Sequence, residues 1–128
     1  MNSHTTVPRG VVAARLQQAR ALRGLSQREV GVRMGLDKDT ASARVSRYES
    51  ESMAVSLESL FVLAAALEVP PAYLVAGTSA MADAILCLGT LGEKQQAELA
   101  MALASLSKLP PDRRREFIDK IENFGTAL

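Results

Sequence analysis

Cysteine and histidine are almost missing from this 128-residue chain: Cys87 and His4 are the sole representatives, far apart in the sequence. An internal disulfide is therefore excluded, and zinc or Cys–His chemistry has almost no material, so no metal site is expected. The chain also lacks a phosphate-binding glycine loop and any pairing of a nucleophile with a base, so neither an enzyme nor a cofactor is expected. No apolar run approaches the length of a membrane span. The start, MNSHTTVPRG, has no basic segment followed by an apolar one, so a cytoplasmic protein with no membrane partner is expected. Charge of one sign is also scarce overall: the net value is +1, which rules out a bulk polyelectrolyte argument for nucleic acid.

What is present is a 48% hydrophobic share, ample for a packed core in one domain or a small domain with an appendage. It is largely Ala, Leu and Val. There is no Trp and little Tyr or Phe, few Pro or Gly interrupt, and alternating strand patterns are missing, so the chain reads as all-α. Cys87, flanked by Ile85, Leu86 and Leu88, reads as a buried small hydrophobe.

The most informative stretch is Leu25 to Glu49, LSQREVGVRMGLDKDTASARVSRYE. Ser26 with Glu29 forms a capping box, Leu25 and Val30 sit at hydrophobic-staple positions, and Gly35 tolerates the positive φ of a sharp corner. Beyond the corner, either Asp37 or Asp39 caps a second helix that runs through Tyr48. On its wheel Ala41, Val45 and Tyr48 form one apolar stripe, while Thr40, Ala43, Arg44 and Arg47 gather on another face. One face packs and the other meets a partner. Small residues with outward arginines fit the major groove of double-stranded DNA, where a guanidinium pairs with guanine or a phosphate. Charge supports this locally: from Arg9 to Arg47 nine basic residues stand against three acidic ones.

These residues resemble the helix-turn-helix regulators of the lambda-repressor-like, Cro-like or XRE (xenobiotic response element) class. The resemblance covers roughly Gly10 to Val75 and rests on four pieces in register: RLQQARALRGLSQREV, Gly35, VSRYE at 45–49, and SLESLFVLAAALEVPPAYL from Ser56 to Leu74. It implies a DNA-binding domain of five short helices, followed here by a C-terminal helical appendage of two to three helices. It also implies roles for single residues. Arg20 would pair with Glu49 as a structural ion pair, with a phosphate contact as the alternative. Gln27 would clamp a phosphate, with Arg28 assisting. Ser42, Ala43 and Arg47 fall on the base-reading positions, joined by Thr40 and Arg44, with Ser46 a further phosphate candidate and Lys38 in the adjoining turn. Gly31 stands where the family usually has alanine, either being small enough for close helix contact.

Two departures from the family pattern stand out. About four extra residues, Asp37 to Thr40, precede the VSRYE run, and they either lengthen the turn or add a turn to the recognition helix. The loop after Glu49 carries Ser50, Glu51, Ser52 and Met53 in place of a glycine and basic residues, which implies weaker phosphate contacts there.

Along the rest of the chain, residues 1–8 read as a flexible arm. Residues 9–77 read as the helix-turn-helix domain, with helix 1 over Arg9 to Arg23 and a fourth helix burying Leu57, Leu60, Phe61, Ala64 and Leu67. Residues 78–128 read as a helical C-terminal region. There Ile85 and Leu88, then Leu99, Leu103 and Leu106, then Phe117 and Ile121 line apolar stripes too small to enclose a core alone, which points to dimerisation. Arg113 to Arg115 lie among Asp112, Glu116 and Asp119 and read as a solvated helix start. The expectation is a bacterial or phage transcriptional repressor that binds a palindromic operator as a homodimer. The alternative is an antitoxin-type module whose C-terminal helices hold a protein partner while the same DNA-binding domain autoregulates its operon.

Overall fold

Eight helices and no strand are found among the described residues, 7–127, of the computed structural model. The expected arm falls largely on residues outside that range. Pro8 is already the first residue of α1, Pro8–Arg23, a position where its missing N–H costs nothing. The helix ends at Gly24 in the left-handed region (φ 66°), with the Leu25 N–H closing on the Arg20 carbonyl at 3.0 Å. Helix α2, Gln27–Arg33, starts at the full capping box: Glu29 N–H donates to Ser26 Oγ at 3.0 Å and Ser26 N–H to Glu29 Oε1 at 3.0 Å. Gly35, at φ 90°, makes the corner, and α3 covers Ala41–Glu49.

Helix α4, Leu57–Leu67, is capped by Ser56 and ends on Glu68, a non-glycine residue at φ 56°. Pro70 and Pro71 prevent its continuation and open the single turn of α5, Pro71–Leu74. Helix α6 is Ser79–Gly89, α7 Glu93–Ser107 and α8 Pro111–Ala127. Leu16 of α1, Val30 of α2, Val45 of α3, Leu63 and Leu67 of α4 and Leu74 of α5 are fully buried, so each of the first five helices contributes to one core. Truncating any of these leucines to alanine should cost about 2–5 kcal/mol.

The chain divides into two compact units, the first reaching Thr90 and the second starting at Leu91. This moves the boundary expected at residue 77, because α6 belongs to the first unit. Ala82 is buried in its core, Ile85 and Leu86 pack on it, and a Cβ at Gly89 would come within 2.6 Å of Pro70 Cγ. Ile85 is therefore half-buried against this core. Leu88 is half-buried.

Two burial expectations also change. Leu57 and Phe61 are exposed, because the stripe that α4 turns inward is Leu60, Leu63, Ala64 and Leu67, one step around the wheel. Cys87 is exposed as well, on the side of α6 away from Ala82. The second unit is a pair of helices, α7 and α8, in which no residue is buried.

Candidate nucleic-acid interface

The position of α3 follows from its inner stripe. Ala41 and Val45 are completely buried and Tyr48 nearly so, which leaves Ser42, Ala43, Ser46 and Arg47 exposed and Arg44 half-buried on the opposite side. The leading end is held tightly: a Cβ placed on Gly31 of α2 would lie 2.6 Å from Ala41 Cβ and 2.7 Å from its carbonyl oxygen. Glycine is thus required at residue 31, and the alanine allowed by the sequence reading does not fit without a shift of α3.

The residues Asp37 to Thr40 lengthen the turn and add nothing to the helix. Thr40 N–H and Ala41 N–H both donate to the Asp37 carbonyl, at 3.0 and 2.8 Å, and Asp39 N–H donates to Asp37 Oδ1 at 3.1 Å. Asp37 therefore caps the turn, and neither aspartate caps α3, whose N-cap Thr40 makes no side-chain capping bond. The Thr40 hydroxyl points back to the Asp37 carbonyl at 3.3 Å. Helix propagation stops here because the Asp39 N–H turns to the Asp37 side chain and the Thr40 N–H closes only three residues back, a tighter turn than an α-helix makes.

The far end of α3 is fixed by Glu49. Arg20 donates to both its carboxylate oxygens, Nε to Oε2 at 2.8 Å and a terminal nitrogen to Oε1 at 3.0 Å, and a third guanidinium bond reaches the Leu25 carbonyl at 3.1 Å. The expected Arg20–Glu49 pair is present as a bidentate fork, which raises the guanidinium pKa further above its ordinary value. Gln27 Nε2 also donates to Glu49 Oε1, at 3.2 Å, and Gln17 Nε2 to the Glu49 carbonyl at 3.3 Å. Glu49 thus ties α1, α2 and α3 together. Gln27 faces it, half-buried, from the first position of α2.

Past α3 the chain closes on one carbonyl. The Arg47 oxygen accepts from Ser52 N–H at 3.1 Å, Met53 N–H at 3.2 Å and the Ser50 and Ser52 hydroxyls at 3.3 Å. Glu51 sits in this loop at φ 66°, where the family pattern leads one to expect glycine.

The nine basic residues counted in the sequence divide into two groups. Five are spent on the fold. Arg9 donates to the Glu51 carbonyl, and Arg15, only 5% exposed, donates to the Ala76 carbonyl at 2.9 Å and to Gln18 at 2.6 Å. Arg20 holds Glu49. Arg23 and Arg33 cover the C-terminal carbonyls of α4, at Leu67, Glu68 and Ala66, where a helix end favours cations. The side chains of the remaining four, Arg28, Lys38, Arg44 and Arg47, make no hydrogen bond or ion pair with the described residues. Arg28 and Lys38 line an open hollow of about 300 Å³ with Glu29, Val32 and Arg33. In the second unit Arg113 and Arg115 are paired with Glu116 and Asp119, and Arg114 donates to the Leu109 carbonyl, so that run offers no second cationic patch.

Sequence reasoning missed Arg15 and Gln17. Their roles depend on a carbonyl at Ala76 and one at Glu49, 61 and 32 residues away, and no local signal announces those.

This geometry, a glycine-cornered pair of helices with a tethered second member and two free arginines on its outer side, is that of a DNA-binding helix-turn-helix protein. A family model described as helix-turn-helix matches residues 16–74. The crystal structure of the transcriptional regulator BswR superposes with a TM-score of 0.66 at 33% sequence identity, over 73% of this chain and 92% of that one. No curated protein matches by sequence. The chain belongs to the XRE-type helix-turn-helix family and is a DNA-binding transcriptional regulator. No helix among the described residues is long and apolar enough to cross a membrane.

Proposed function

We propose that this regulator is a repressor that binds a palindromic operator as a homodimer, with α3 in the major groove. One observation carries the reading: of the four cations not consumed by the fold, Arg44 and Arg47 lie on α3 among its exposed small residues, and Arg28 and Lys38 share the hollow that runs from α2 to the turn. Arg47 and Arg44 read bases or hold phosphates, Ser42 and Ala43 meet base edges, and Thr40 and Ser46 take peripheral contacts. Arg28 and Lys38 face phosphates from the hollow beside the turn, and Gln27 clamps one from the α2 N-terminus.

Dimerisation rests on the second unit. Leu99, Leu103, Phe117 and Ile121 are exposed, Leu106 is half-buried, and an apolar hollow of about 390 Å³ lies between Ala102, Ser105, Leu106, Leu109 and Phe117. Two helices in which no residue is fully buried need a further surface, and a second copy supplies one by symmetry. Two-fold pairing would set the two copies of α3 about 34 Å apart, one turn of DNA.

The same apolar hairpin also supports the antitoxin-type reading, in which a different chain covers it. Selection of bound sequences from random DNA, with sedimentation of the purified full chain, decides between the two. A symmetric half-site pair and a dimer support the repressor. Unselected DNA overturns it, and a monomer that becomes soluble and DNA-competent only with a second chain favours the antitoxin.

A further inference from the structure

Asp39 is an odd residue to find at the front of a DNA-binding helix. It stands two positions before Ala41, exposed, in a turn whose neighbours Lys38 and Thr40 are also exposed. Phosphates repel a carboxylate, so at this place it lowers affinity for any DNA unless it finds a donor. The turn itself does not require it. Asp39 takes part through its backbone N–H, which donates to Asp37 Oδ1, and the carboxylate that shapes the turn is that of Asp37. The Asp39 carboxylate has no hydrogen bond or ion pair with the described residues.

The turn is nonetheless rigidly presented. Three hydrogen bonds converge on the Asp37 carbonyl, two from N–H groups and one from the Thr40 hydroxyl, and the Gly31–Ala41 contact fixes the residue that follows. From Ala41 to Arg47 α3 rises roughly 9 Å, more than two base-pair steps, and Asp39 stands in the turn before its first residue. Asp39 and Arg47 therefore address different positions of one half-site.

Resting on the reading of α3 as the groove-entering helix, we propose that Asp39 is a specificity-determining residue whose carboxylate accepts a hydrogen bond from the exocyclic amino group of a cytosine. The major-groove edge of cytosine is the donor that a carboxylate matches, whereas guanine and thymine present acceptors that it rejects. The four extra residues in the turn thus add a reading head in front of α3, with Lys38 beside it offsetting the repulsion from phosphate. Selectivity comes from the penalty as much as from the bond: at the wrong base the carboxylate meets an acceptor and stays unpaired.

The test compares the full-length protein with D39A and D39N in selections from random DNA at fixed salt, followed by titration of single-base variants of the selected site. For the parent, one half-site position separate from that controlled by Arg47 should require cytosine, by roughly five- to a hundredfold. D39A should lose that preference while binding the remaining sites at least as tightly. D39N should move the preference towards adenine, the partner of a side-chain amide. Neither substitution removes a hydrogen bond of the turn, so a change in stability alone, with base preference intact, overturns the proposal. Unchanged preference in both variants of a sequence-specific parent also overturns it while leaving the regulator reading in place. A parent that selects no sequence sinks both.

Discussion

Gly31 and Ala41 meet so closely that no heavier side chain fits at residue 31: a Cβ there would stand 2.6 Å from Ala41 Cβ and 2.8 Å from its carbonyl carbon. The contact joins α2 to the first residue of α3, so it sets where the recognition helix begins. Gly31→Ala improves helix propensity locally but forces α3 outward. We expect a net destabilisation of about 1–3 kcal/mol and weaker binding to DNA. Chemical denaturation with a DNA titration checks both, and a variant as stable as the parent would mean that the contact is slack.

Glu49 holds the other end of α3 with a carboxylate that serves Arg20 and Gln27 together. Glu49→Ala leaves the partly buried Arg20 without its acceptor and should cost about 1–3 kcal/mol. Glu49→Gln, which keeps one acceptor oxygen, should lose less. The order of the two variants in thermal melts separates a hydrogen-bonding role from simple space filling.

Arg47 and Gln27 should fail in different ways. Arg47→Ala is expected to relax one operator position at a cost of about 1–3 kcal/mol, whereas Gln27→Ala should weaken all sequences alike. Lys38→Ala and Arg28→Ala should each lower the slope of log affinity against log salt by about 1. Gel shifts at several salt concentrations measure all four, and an Arg47→Ala protein with unchanged base preference would relocate the reading face.

Glu51 carries a side chain in a backbone region that favours glycine, φ 66°. Glu51→Gly relieves a cost of roughly 1–2 kcal/mol, offset in part by the greater freedom of glycine in the unfolded chain. It also removes a negative charge just beyond α3. Both stability and DNA affinity should rise, and the affinity gain should shrink as salt increases. Equal affinity at low salt would show that the loop stands away from the duplex.

Tyr73, nearly fully buried, has its phenol pKa pushed upward by burial. A folded-state value above the unfolded one means that its contribution to stability is whole below the unfolded value, about 10, and is lost as pH rises through the folded one. Tyr73→Phe removes that ionisation. The parent should therefore lose stability relative to the variant above pH of about 10, with a constant difference between them at neutral pH, as read from urea unfolding across the alkaline range.

Much of the fold was legible because its signals are local. The Ser26–Glu29 box, Gly35 at positive φ and the inner stripe Ala41, Val45, Tyr48 each depend on residues within a turn or two. The Arg20–Glu49 pair was legible by resemblance, not by spacing. The burial of Leu57, Phe61 and Cys87 was misread because an apolar residue beside a stripe looks the same in sequence whether or not a neighbouring helix arrives to cover it.

The sequence by itself determined the helices, the capping box of α2 and the glycine corner of the motif, since these follow from propensity, hydrogen bonding and periodicity over a few residues. Only the tertiary structure decided which cations remain free for a partner. Arg9, Arg15, Arg23 and Arg33 look like Arg28, Arg44 and Arg47 in the sequence, and they differ only because distant carbonyls at Glu51, Ala76, Leu67 and Ala66 happen to lie within reach once the helices pack. It also placed Asp37 to Thr40 in the turn, because the Asp39 N–H bonds the Asp37 side chain and the Thr40 N–H closes three residues back, neither of which continues an α-helix.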